Sequence, residues 1–189
     1  MVYGKALTNA QGYLVRFIPA DAHILIVGGG TGWVLEEITK IHPSGLSIIY
    51  IDASAKMTAL ANTRQVGKNK VTFITSPVES VILDGAFEVV LTPFLFDNFT
   101  DNSLRKIFST IDSHMKPGGK WLHCDFQNTN VFWQKWLLKI MYFFFKVCCG
   151  IEASQLPDTD SCFTEFEYEV MTQKAFMSGF VMSTIYTKK

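Results

Sequence analysis

Charge of one sign is missing from this chain. Seventeen basic and seventeen acidic residues cancel, so there is no net electrostatic footprint for DNA, RNA or an anionic membrane. Nucleic acid is therefore not expected as a partner. Cysteine is sparse, and Cys124, Cys148, Cys149 and Cys162 include no C-x-x-C pair. That spacing suits neither a disulfide framework nor a zinc knuckle. No two histidines have zinc-ligand spacing, so no metal is expected. The first ten residues lack the charged-then-apolar pattern of a secretory leader. Reduced thiols without a leader point to the cytoplasm. Repeats, low-complexity tracts and linkers are absent, so residues 1–189 are expected to form one domain.

What is present is apolar patterning. Hydrophobic residues make up 48% of the chain and charged residues 18%, a composition that supports a packed core. Short apolar runs at 23–27 (HILIV), 46–51, 71–74, 87–91, 120–126 and 181–187 read as strands. Between them, residues 6–17, 33–41, 54–66, 101–115, 131–149 and 163–177 read as helices. Turns are expected at 116–119 and a polar loop at 150–161. Alternating strands and helices predict an α/β fold, a three-layer α/β/α sandwich around a mostly parallel sheet.

The most informative feature follows the first strand. GGGTG at 28–32 opens directly into a helix, the position at which open α/β sheets bind nucleotide cofactors. Glycine there lets backbone approach a ligand closely. A dinucleotide loop needs G-x-G-x-x-G, and Trp33 occupies its third glycine position. That argues against an NAD-dependent oxidoreductase. No Gly-Lys-Ser/Thr follows, which excludes a P-loop. The spacing found is Gly28, Gly30, Gly32. Asp52 stands at the end of the second strand, where a carboxylate can accept hydrogen bonds from ribose hydroxyls. It can equally cap the helix that follows.

Taken together, ILIVGGGTG, YIDAS, VTFITSPVES, FEVVLTPFLFDNF and HMKPGGKWL resemble, in order and spacing, the class I S-adenosylmethionine-dependent methyltransferases. The resemblance runs from about Ile24 to Phe126 and implies a Rossmann-like fold, S-adenosylmethionine as cofactor and S-adenosylhomocysteine as product. It implies that Gly28, Gly30 and Gly32 line the methionine and ribose side, that Asp52 holds the ribose, and that Ala53 and Met57 flank the adenine. Val78, with Glu79, would lie at the adenine edge, and Thr92 and Pro93 at the sulfonium end. The chain departs from the family pattern at Ile26 and Pro77, where acids often stand, which leaves open a binding protein without turnover. The family commonly ends its sheet with a two-strand hairpin. Only one terminal strand is legible here, so either the hairpin is abbreviated or the chain is truncated at this end; a missing strand would leave an exposed edge able to pair with another chain, as in a homo-oligomer.

The acceptor is expected to be a small molecule. Candidates for acid–base work are Asp97 after the fourth strand, and His123 and Asp125, which alternate to one face of the fifth. The alternative is that His123 is a satisfied core histidine and Asp125 caps the next segment. The aromatic stretch 131–149 carries Lys135, Lys139 and Lys146 on one helical stripe. Three lysines argue against a membrane span. The stretch reads as a helix packed on the sheet, with a lid over an apolar or aromatic acceptor and contact with a membrane, lipid or quinone as the alternatives.

Overall fold

A computed structural model describes residues 2–127, 129, 131–134, 136, 138 and 155–189, with side chains from residue 5 onward. Seven strands form one sheet: β1 (His23–Val27), β2 (Ser44–Asp52), β3 (Lys68–Thr75), β4 (Phe87–Pro93), β5 (Met115–Phe126), β6 (Tyr168–Phe176) and β7 (Val181–Lys188). Their order is β3-β2-β1-β4-β5-β7-β6. Strands β1 to β5 run parallel, and β7 lies antiparallel between β5 and β6.

The helices are α1 (Val2–Leu14), α2 (Trp33–Ile41), α3 (Ala55–Ala61), α4 (Asp101–Asp112) and α5 (Thr159–Glu165). They cover both faces, which is why β1 is apolar along its length rather than alternating. Ile24 and Ile26 pack with Leu14, Val34, Leu35 and Ile38 on the face of α1 and α2. Leu25 and Val27 join Leu104, Phe108 and Phe163 on the face of α4 and α5. Trp121 lies stacked on Phe108 at 4.5 Å between ring centroids. Chain direction across the sheet reverses between β1 and β4, and the carboxyl ends of these strands define the crevice where ligands of such sheets bind.

The three-layer α/β/α architecture and mostly parallel sheet agree with the sequence expectation. Residues 163–177 do not: α5 ends at Glu165 and the chain turns into β6. The expected single terminal strand is thus a full β6–β7 hairpin, turned through Met177, Ser178 and Gly179 at positive φ. The hairpin moves the open edge to β6 and does not abolish it. The turn expected at 116–119 lies within β5, which starts at Met115, and α3 stops at Ala61 rather than at 66. Much of the aromatic stretch 131–149 lies outside the described residues. At its start Gln134 and Leu138 are buried, Leu138 against Ala10, Phe126 and Phe180, while Phe132 and Trp136 are exposed. Among the described residues, no helix is long and apolar enough to cross a membrane.

Candidate active site

The loop after β1 is held from four directions. Gly28 N–H donates to the Ile51 carbonyl at 2.8 Å, and Gly30 N–H donates to Asp52 Oδ2 at 2.9 Å. The Tyr50 hydroxyl donates to the Gly30 carbonyl at 2.9 Å. Arg64 Nε donates to the Thr31 carbonyl at 2.9 Å, while its Nη1 pairs with Glu36 at 3.2 Å. Glycine loop and acid-bearing strand are therefore one rigid unit, and groups that approach a ligand need no rearrangement to do so.

The three spaced glycines all adopt positive φ, but they do so for different reasons. A Cβ on Gly28 would lie 2.7 Å from the Leu95 side chain, and one on Gly32 would lie 2.7 Å from Ala61. These two are glycine because the protein itself is in the way. A Cβ on Gly30 would meet nothing within 4 Å. Its surroundings are open, beside the Asp52 carboxylate.

Asp52 takes part in the entry to α3. Its Oδ1 accepts from Ser54 N–H at 2.9 Å, an Asx turn that leads into α3. The cap of α3 is Ser54, whose hydroxyl accepts from Met57 N–H at 3.4 Å. A carboxylate has about four lone-pair sites, so two accepted N–H bonds leave capacity for ribose hydroxyls. Ala53 is exposed and Met57 half-buried beside it.

Other candidates point inward. Val78 is buried in the core and Glu79 is exposed, both in a short turn after Pro77. Ile26 is wholly buried against α2. Pro93 is buried. Thr92 is fully buried; its hydroxyl accepts from Trp121 Nε1 at 2.9 Å and lies 3.1 Å from His123 Nδ1.

His123 and Asp125 share a face of β5 but do not pair. Asp125 Oδ2 accepts from Phe96 N–H and Asp97 N–H, both at 3.1 Å, and Oδ1 accepts from Phe126 N–H at 2.9 Å. It fastens the turn after β4 to β5. Burial pushes its carboxyl up to about 7 despite those donors. Burial, with the Asp125 charge beside it, also raises Asp97 well above the carboxylate range. Burial lowers His123 to about 4, so the ring is neutral at physiological pH. It is a poor base there. Sequence reasoning missed Tyr50 and Arg64. Tyr50 was legible as an aromatic two residues before Asp52; Arg64 carried no local signal.

Residues 24–119 match the pattern of the methyltransferase domain family. The chain belongs to the class I S-adenosylmethionine-dependent methyltransferases, whose cofactor is S-adenosylmethionine. It is 32% identical over 107 residues to a malonyl-[acyl-carrier protein] O-methyltransferase of Bacillus cereus, covering 57% of this chain and 38% of that one. The chain thus spans well under half the length of that relative. Its fold is similar to the mitomycin 7-O-methyltransferase MmcR, with TM-score 0.73, 15% identity, and coverage of 97% of this chain and 54% of that one. It is similar also to the N-methyltransferase NodS of Bradyrhizobium japonicum in complex with S-adenosylhomocysteine. There the TM-score is 0.72, with 12% identity and coverage of 96% and 86%.

Proposed function

We propose that residues 1–189 form one methyltransferase domain, which transfers the methyl group of S-adenosylmethionine to a small acceptor. The observation that carries the reading is the open position above Gly30 beside Asp52, in a loop already locked by Tyr50 and Arg64. Gly28, Gly30 and Gly32 shape the cradle, Asp52 accepts the ribose hydroxyls, and Ala53 and Met57 flank the adenine. Val78 and Glu79 border the adenine edge, and the backbone of Thr92 and Pro93 lies toward the sulfonium.

When bound, S-adenosylmethionine supplies a methyl carbon already activated by its sulfonium. A lone pair of the acceptor forms the new bond as the carbon–sulfur bond breaks and its electron pair returns to sulfur. The protein's task is alignment, which is worth up to about 7–11 kcal/mol in well-oriented reactions. A general base is needed only where the acceptor must lose a proton during attack. The neutral, weakly basic His123 does not fill that role, and Asp125 is occupied with three backbone donors.

The test is thermal unfolding with saturating S-adenosylhomocysteine, and with NADH in parallel. Ligand at 100 times its dissociation constant adds about 2.7 kcal/mol, which for a domain of this size is about 5–10 °C. A shift with S-adenosylhomocysteine alone supports the reading. A shift with NADH alone, or with neither, sinks it. Labelled methyl transfer to a metabolite panel then separates an enzyme from a binding protein without turnover.

A second reading, action on a lipid or quinone at a membrane, is favoured by the 83% exposure of Phe132 and 62% of Trp136. Flotation with liposomes tests it, and a protein that stays at the bottom of the gradient rules it out.

A further inference from the structure

Beside β5, on the face covered by α4 and α5, lies a cavity of about 270 Å³. Its walls come from β5, β6, β7 and α5. They include His123, Gln127, Phe163, Gln173, Thr184 and Tyr186. An apolar cavity of roughly 150 Å³ admits a benzene ring, so this one has room for a ring with a polar substituent.

One atom marks the cavity as more than a packing gap. His123 is 4% exposed, and its Nε2 is a buried polar atom with no hydrogen-bond partner among the described residues. Buried polar groups are nearly always paired, and one that is not calls for a cause such as a ligand or water. Trp121 Nε1 can only donate, so the Thr92 hydroxyl accepts from it. The same hydroxyl lies 3.1 Å from His123 Nδ1 and can donate to it or accept from it through its second lone pair. Either arrangement occupies Nδ1 and leaves Nε2 to be matched by a polar group from outside this cluster, as a donor in one tautomer and an acceptor in the other. His123 lines the cavity.

The remaining chemistry narrows the ligand. Gln127, Gln173, Thr164 and Thr184 are neutral hydrogen-bonding groups, and Phe163 lies stacked on Tyr186 at 3.6 Å between centroids. The charged residue at the wall is Asp160, which accepts from the Tyr186 hydroxyl at 3.3 Å; no lysine or arginine lines the cavity among the described residues. A carboxylate would meet a like charge and no cation, whereas a neutral polar group could pair with His123 Nε2. Two of its lining residues lie toward the carboxyl ends of the central strands: His123 contacts Thr92 near the end of β4, and Gln127 lies just past the end of β5.

We infer that this cavity receives the methyl acceptor, and that the acceptor is a neutral molecule of single-ring size with a polar group that pairs with His123 Nε2. The inference rests on the methyltransferase reading for the word acceptor, but the ligand class rests on the cavity alone. His123 is a binding residue that orients that polar group, not a base.

The experiment uses the full chain labelled with ¹⁵N-histidine and saturated with S-adenosylhomocysteine, titrated with benzamide and with benzoate. His123→Gln assigns the His123 resonance. Benzamide, which can both donate and accept, is expected to shift the His123 Nε2 signal saturably, and benzoate to bind at least about tenfold more weakly, the scale of one hydrogen bond to a charged or buried partner. Gln173→Trp, at an exposed strand position, is expected to fill the cavity and abolish the shift in a protein with an unchanged unfolding midpoint. No benzamide shift in protein that binds S-adenosylhomocysteine overturns the cavity assignment. Benzoate binding as tightly as benzamide overturns the ligand class. A benzamide shift in protein that fails to bind S-adenosylhomocysteine retains the cavity and its ligand class, and overturns its role as the methyl-acceptor site.

Discussion

The Tyr50 hydroxyl donates to the carbonyl of Gly30 at 2.9 Å, and its ring lies where any side chain on Gly29 would have to go. The phenol is wholly buried and held neutral, its pKa raised by burial and by the Asp52 charge nearby. One side chain of β2 therefore sets the height of the loop that follows β1. Tyr50→Phe keeps the ring and removes the bond. Stability should fall by about 1–3 kcal/mol, the cost of an unsatisfied carbonyl, and affinity for S-adenosylhomocysteine should fall with it. Chemical denaturation and calorimetric titration measure the two. An unchanged affinity would mean that the loop holds its shape without Tyr50.

The three glycines should separate by phenotype. Gly32→Ala forces a methyl onto Ala61 in addition to the strain of positive φ, and should cost roughly 2–4 kcal/mol of stability. Gly30→Val adds bulk to open space. It should fold, with about 1–2 kcal/mol of backbone strain, and lose S-adenosylhomocysteine binding. Retained affinity in folded Gly30→Val would remove the loop from the site.

Asp52 is a separate case, because it serves both loop and ligand. Asp52→Ala should weaken S-adenosylhomocysteine by about 1.5–3 kcal/mol, the range for hydrogen bonds to a charged group. Asp52→Asn, which can still accept from Gly30 N–H, should restore stability more fully than affinity. Equal recovery of both would assign Asp52 to helix entry alone.

The buried pair Asp97 and Asp125 predicts an unusual pH profile. Both folded-state pKa values lie above the unfolded carboxylate value, Asp125 at about 7. The native state then binds more protons than the unfolded one between about pH 4 and 7, so stability contributed by the pair is full below pH 4 and declines as pH rises through 7. Asp97→Asn removes one of the two raised carboxyls and should lessen that decline. Urea unfolding at pH 5, 6, 7 and 8 (chosen to bracket about 7) checks it. Parallel profiles for both proteins would show that the pair does not titrate in this range.

The sequence was most legible where a local pattern and the final contacts agree. HILIV, GGGTG and the apolar stripe of α2 mark the first strand, loop and helix because each is buried on the faces its periodicity implies. Residues 168–176 read as helix because a β-bulge near Met171 breaks the two-residue alternation. Tyr168, Val170 and Gln173 line the cavity on one face, while Thr172 and Phe176 turn to Tyr13 on the other. The apolar residues thus fall out of step, and Glu, Met, Gln, Lys and Ala favour a helix until pairing with β7 decides. Of the site, the glycines and Asp52 were visible as motif. His123 was visible as a residue but not as an unpaired group, since its surroundings depend on Thr92 and Trp121 from two strands.

The first helix and the last strand meet: the Ser183 hydroxyl donates to the Ala10 carbonyl at 3.0 Å, and α1 packs across β7. A ribosome makes α1 long before it makes β7, at about 5–20 residues per second. During that interval the apolar side of α1 has only part of its final bed, formed by α2 and β5. The closing of the sheet is therefore later than the making of α1, and an early element is fixed in place by a late one.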